Sequence, residues 1–136
     1  MKKAIKKTIL LLAVAVMITV SLSVAFAESN VYHSVSGAST EKVRALANIR
    51  RSHASYYCNG TEFSPSASYP TGMTVTVRPY LYNDPSTRAG NATTYSADSL
   101  SGGAAYFATP LPDRIDVWAN TNIYNHAASI KGYWDF

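Results

Sequence analysis

One cysteine in 136 residues excludes a fold held by internal disulfides, because a lone thiol has no partner within the chain. Cys58 is expected to be a small buried hydrophobe, since free cysteines are among the most buried residues. Pairing between chains stays open, and nothing beside Cys58 in sequence would lower its pKa and make it a nucleophile. Charge is sparse as well, at 15% Asp, Glu, Lys and Arg. Leu and Lys are scarce beyond residue 27, which argues against a bundle of helices. Sequence motifs of catalysis are missing too. There is no C-x-x-C or H-E-x-x-H spacing for zinc and no G-x-S-x-G nucleophile elbow. His33, His53 and His126 are scattered, and so are the carboxylates, which announce neither a glycosidase pair nor a calcium loop. No catalytic residue, metal site or cofactor is therefore expected.

What is present begins with an export signal. Lys2, Lys3, Lys6 and Lys7 precede an apolar run from Ile9 to Val24, and Ala25-Phe26-Ala27 provides the small residues that a signal peptidase reads. The run is short for a membrane-spanning helix, which needs ~20 residues, and no second apolar run follows it. The expectation is a secretory signal peptide at 1–27 of bacterial character. One domain at 28–136 would be released outside the cell or onto its wall, with no stable membrane insertion after cleavage. Removing the tag also changes the charge. The whole chain carries 12 basic and 8 acidic residues, but four of the basic ones are the lysines of the signal. The remainder is balanced, and its basic residues are dispersed along the sequence. No nucleic-acid-binding surface is expected from it.

All ten Tyr and both Trp lie beyond the signal, among many Ser, Thr and Asn, a composition that favours pleated sheet. Met73–Tyr82 alternates, with Val75, Val77, Pro79 and Leu81 on one side and Thr74, Thr76, Arg78, Tyr80 and Tyr82 on the other. Pro79 cannot donate to a ladder, which predicts an edge strand or a bulge there. Arg114–Tyr124 alternates as cleanly, placing Ile115, Val117, Ala119, Thr121 and Ile123 opposite Asp116, Trp118, Asn120, Asn122 and Tyr124. Further strands are predicted at Val31–Ser36, Ser52–Cys58, Thr93–Ala97, Ala104–Ala108 and Ala128–Asp135. Turns are predicted at Asn59-Gly60, Pro70-Thr71-Gly72, Asn83-Asp84-Pro85-Ser86, Ser101-Gly102-Gly103 and Pro110-Leu111-Pro112-Asp113. Thr40–Arg51 fits both a helix capped by Thr40 and a strand, and its β neighbours favour the strand. The expected fold is all-β, a small antiparallel sandwich or partly open barrel.

Aromatic side chains on strand faces are the candidate contacts. Tyr80 and Tyr82 share the polar side of the first alternating strand, Trp118 and Tyr124 that of the second, and Trp134 lies in the aromatic tail Tyr133-Trp134-Asp135-Phe136. Rings beside Asn, Asp and Thr suit stacking on sugars or anchoring a protein partner. The expected function is a non-enzymatic extracellular binding module for cell-surface glycan or protein. In format (signal segment, β-rich body, aromatic tail) the chain is also similar to some small secreted bacteriocins, though no specific residue carries the likeness. Antagonism of neighbouring cells is the alternative function this implies. The sequence leaves the oligomeric state open.

Overall fold

The alternation at Arg114–Thr121 produces a strand with two unlike faces, and the other elements are arranged around it. The computed structural model describes residues 29–66 and 71–136, so the expected export segment at 1–27 lies outside the described residues. Among the described residues the strands, in chain order, are β1 (Val31–Gly37), β2 (Val43–Arg50), β3 (Ser55–Pro65), β4 (Thr74–Leu81), β5 (Asp84–Arg88), β6 (Thr93–Ser96), β7 (Ala105–Tyr106), β8 (Arg114–Thr121) and β9 (Ala128–Asp135). They form two antiparallel sheets packed against each other as a small β-sandwich. One sheet has the order β1-β9-β3-β7. The other has the order β2-β8-β4-β5, with β6 also paired to β4.

The core lies between the sheets. Val75 and Val77 of β4 and Ile115, Val117 and Ala119 of β8 face Val35 of β1, Cys58 of β3 and Ile130 and Trp134 of β9. These are the aliphatic sides expected from the alternation. Rings fill the remaining space. Trp134 stacks on Phe136 with centroids 5.5 Å apart and planes 5° from parallel, while Tyr95 meets Trp134 edge-on at 5.5 Å. Tyr56 packs against Phe107 and Phe136, and its hydroxyl donates to Asn91 O at 2.6 Å. Cys58 is a buried free thiol, and burial pushes its pKa up to about 12.

The ambiguous segment is a strand, and its geometry explains the ambiguity. β2 pairs with β8 through Val43↔Ala119, Leu46↔Val117 and Ile49↔Ile115, with register shifts on both sides of Leu46. Each shift spends an extra β2 residue, so the partners of the β8 core positions recur every third residue instead of every second. A doubly bulged strand therefore carries the i, i+3 spacing of a helix. The bulging also turns Leu46 toward the core, where regular alternation would expose it.

Three local expectations need correction. Pro79 is not on an edge strand, since β4 has β8 on one side and β6 then β5 on the other, and the irregularity given as the alternative lies just beyond it, where the β4–β5 register shifts between Tyr80 and Leu81. Pro79 O accepts from Ala89 N at 2.9 Å, on the side away from β8. A residue's N and C=O point the same way in an antiparallel ladder, so the missing donor falls in the gap between β6 and β5. Asn59-Gly60 is not a turn but the middle of β3, where the register against β9 shifts between Gly60 and Glu62. Gly60 is needed for close approach, because a Cβ there would run into Leu100 O. Finally, the Asn83–Ser86 turn is displaced. Leu81 pairs with Asp84, so Tyr82-Asn83 makes the hairpin and Asp84–Arg88 is a strand.

Two substitutions test this packing. Trp134→Ala is expected to remove about 3–5 kcal/mol of unfolding free energy in urea, and Gly60→Ala about 1–3 kcal/mol. A loss within error for Trp134→Ala would contradict the burial of that ring in the core, and one within error for Gly60→Ala would contradict the close approach of β3 to Leu100.

Candidate functional site

The two outer sheet faces differ in character, and the difference follows from which residues alternate with the core positions. On the β1-β9-β3 face, Tyr32 pairs with Tyr133 across β1 and β9, and Tyr133 pairs with Asn59 across β9 and β3. Tyr57, two residues before Asn59, is the diagonal neighbour of Tyr133. These three rings are 50%, 44% and 45% exposed for Tyr32, Tyr57 and Tyr133. Tyr32 and Tyr133 meet edge-on with centroids 5.3 Å apart. Ser34, Ser36, Ser64 and Ser129 occupy the same face toward the other end of the strands. Its charges are matched locally. Lys131 Nζ donates to Glu62 at 2.9 Å, and His53 Nε2 lies 3.4 Å from Asp135 Oδ1.

The tyrosine face is held in place by its carboxylates. Partial burial would raise the Asp135 pKa, but donors from Ser29 and Tyr57, the neighbouring His53 and the Asn30 N–H outweigh it and hold the group below its ordinary value. Hydrogen bonding to Asp135 in turn raises the Tyr57 pKa, so that hydroxyl keeps its proton and orients the ring. Glu62 is also lowered, through donors from Ser64 and Lys131.

The opposite face, on β2-β8-β4-β5, contains two of the five residues expected at a site, Tyr80 and Trp118, in a different state. Trp118 is half-buried in one rung between Arg44 and Arg78, its partners on β2 and β4. Tyr80 is only 5% exposed and meets Trp118 edge-on at 6.0 Å. Lys42 caps both rings, with Nζ 4.0 Å from the Tyr80 centroid and 5.3 Å from that of Trp118, while donating to Pro85 O at 2.5 Å. Burial would raise the Tyr80 pKa, but the Arg78 and Lys42 side chains, as donors and as charges, outweigh it and lower the pKa. Beneath this layer lies Asp116, 1% exposed. It accepts from Asn48 N at 2.8 Å and Asn83 N at 3.1 Å, with Arg44 Nη1 at 3.4 Å. Asp84 caps the adjoining hairpin, its pKa brought down to about 2 by donors from Ser86 and Thr87.

The fold thus separates the five expected site residues. Tyr80 and Trp118 sit together under Lys42. Tyr82 is exposed in the β4–β5 hairpin, and Tyr124 is exposed in the β8–β9 loop. Trp134 must be removed from a surface site, because it is fully buried in the core. Ile130, Gly132, Trp134 and Phe136 share one parity of β9 and its extension, so the aliphatic Ile130 marks which side is core and leaves Tyr133 outside. That signal is present in the sequence, and it favours Tyr133 over Trp134. Val35 and Cys58 give the same signal for Tyr32 and Tyr57, which fall on the opposite parity of β1 and β3.

Catalytic chemistry gains little from the arrangement. Ser52 Oγ donates to Phe136 O, and His53 is open to solvent beside Asp135. Among the described residues, no group of three or more His, Cys, Asp and Glu is placed to hold a metal ion, and no helix is long and apolar enough to cross a membrane. A cleft of about 550 Å³ at Met73, Thr74 and Ser96 has Asp98 as its one ionisable lining residue. No protein-family model, curated protein or solved structure matches this chain.

Carboxylates with lowered pKa values stabilise the fold above their unfolded-state values of ~4, and this contribution is lost as pH falls through the lower folded values. Asp84, Glu62 and Asp135 therefore predict a stability decline between about pH 4 and pH 2. Asp84→Asn should make the decline shallower in urea unfolding at those two pH values. An unchanged decline would contradict the capping role of Asp84.

Proposed function

We propose that this chain is an exported, non-enzymatic binding module that engages cell-surface glycan through Tyr32, Tyr57 and Tyr133. The observation that carries the reading is the placement of three exposed rings on three adjacent strands, with Asn59 and a set of serines on the same face. Rings held by a rigid sheet present flat apolar area at little cost in conformational entropy. The hydroxyl and amide groups around them suit the polar rim of a sugar. The export pattern at residues 1–27 supports an extracellular setting.

Retention of purified residues 28–136 on cell-wall polysaccharide and on a glycan array tests the proposal. Tyr133→Ala is expected to weaken binding about fivefold to tenfold, the range of a lost ring contact, and Tyr32→Ala and Tyr57→Ala similarly. Tyr124→Ala, in the loop between β8 and β9, should leave retention unchanged. Absence of retention by the unaltered protein on any of these surfaces would overturn the proposal, as would retention that survives removal of all three rings.

A further inference from the structure

The outer face of the β2-β8-β4-β5 sheet lies across the sandwich from the tyrosines, and what it suggests does not depend on them. Basic residues far apart in sequence converge there. Arg44 and Arg78 flank Trp118 in one rung, Arg88 is opposite Tyr80, and Arg50 is opposite Arg114, on the same parity of β8 as Trp118. Lys42 lies over the rings in their midst. Fewer carboxylates oppose these six cations. Asp116 is buried beneath them, Asp84 is bound within its own hairpin, and Asp113 reaches Arg50 at 3.9 Å from the loop before β8. The part of the chain beyond residue 27, whose basic and acidic residues balance in composition, is thus polarised in space.

We propose that this face binds an anionic polysaccharide, a sugar polymer carrying repeated acidic groups. Three observations point to that partner. Arg44 and Arg78 are two strand spacings apart, ~10 Å, so a single small anion cannot meet the whole set while a polymer can. Beside the charged rung runs an uncharged one, Thr94–Thr76–Asn120, with Thr76 and Thr94 hydroxyls 3.1 Å apart. Hydroxyl and amide groups next to guanidinium groups match a polymer whose sugar hydroxyls alternate with acids. Finally, Tyr80 is buried, Trp118 is half-buried, and Lys42 lies over both rings, so little ring face is left open. Single-stranded nucleic acid is typically gripped by stacking on open aromatic rings, and amphipathic membrane surfaces bind lipid by inserting apolar side chains. This face is arranged for neither.

Titration of purified residues 28–136 with alginate tests the proposal, with neutral dextran, a short DNA oligonucleotide and vesicles containing phosphatidylglycerol as the other probes. Alginate is expected to bind at low salt and to be released as ionic strength rises, because exposed charges are screened. Arg78→Gln combined with Arg88→Gln should lower the alginate affinity about tenfold through loss of two cation–anion contacts. Neither residue pairs with Asp116, and an unchanged urea midpoint would confirm that the double variant is folded. Lys131→Gln, on the tyrosine face, should bind alginate like the unaltered protein, and so should Tyr133→Ala, which separates this proposal from glycan binding by the tyrosines. Equal affinity of the double variant and the unaltered protein would overturn it. Dextran binding as tight as alginate binding, or tighter binding to DNA or vesicles, would do so as well.

Discussion

The buried carboxylate of Asp116 is the interaction on which the cationic sheet depends. It lies on the outer side of β8, where alternation alone predicts exposure, yet it is 1% exposed. Two of its acceptor positions are taken by backbone N–H groups of Asn48 and Asn83. Both asparagines are left-handed, with φ of 56° and 58°, a region that non-glycine residues adopt reluctantly and asparagine most readily among them. One side chain therefore holds the second bulge of β2 and the β4–β5 hairpin together from the strand between them. Hydrogen bonds to a charged group are worth ~1.5–3 kcal/mol each, and a buried donor left without its acceptor costs ~1–3 kcal/mol. Arg44 brings charge to the same group from above. Arg44, the β2 partner of Trp118, is held in place by that anchoring.

The rest of the sandwich divides its aromatic residues between two tasks. Trp134, Phe136, Tyr56 and Tyr95 fill the space between the sheets, where large rings give a small domain much of its buried apolar area. Tyr32, Tyr57 and Tyr133 alternate with core residues and remain in solvent. The two outer faces then diverge in charge, with Lys131 paired to Glu62 on the tyrosine side and cations in excess on the other. The two proposed contacts, glycan at the tyrosines and polyanion at the arginines, would lie on opposite faces of the sandwich, each on its own sheet.

Legibility in the sequence tracks regularity. β4 and β8 alternate without interruption on their core sides, and the inner residues expected for them are those found inside. β2 is ambiguous because two bulges give a strand the three-residue spacing of a helix. Asn59-Gly60 carries the chemistry of a turn while serving the close approach of β3 to Leu100. The outer faces are legible only in part. Alternation places Tyr80 and Trp118 on one sheet face, but their cover depends on Lys42, which reaches across from the start of β2. Charge that is dispersed along the chain becomes a cluster through the order β2-β8-β4-β5, which neither local composition nor periodicity encodes.

Amide hydrogen exchange at Asn48 and Asn83, followed by nuclear magnetic resonance in the unaltered protein and in Asp116→Asn, addresses the anchoring role of Asp116 most directly. Protection of both amides close to that of the β8 core, falling together by about tenfold or more in the variant while β9 amides keep theirs, is the result expected from loss of a charged acceptor. Exchange of Asn48 and Asn83 at the rate of open loops in the unaltered protein, or protection that survives the substitution, would contradict it.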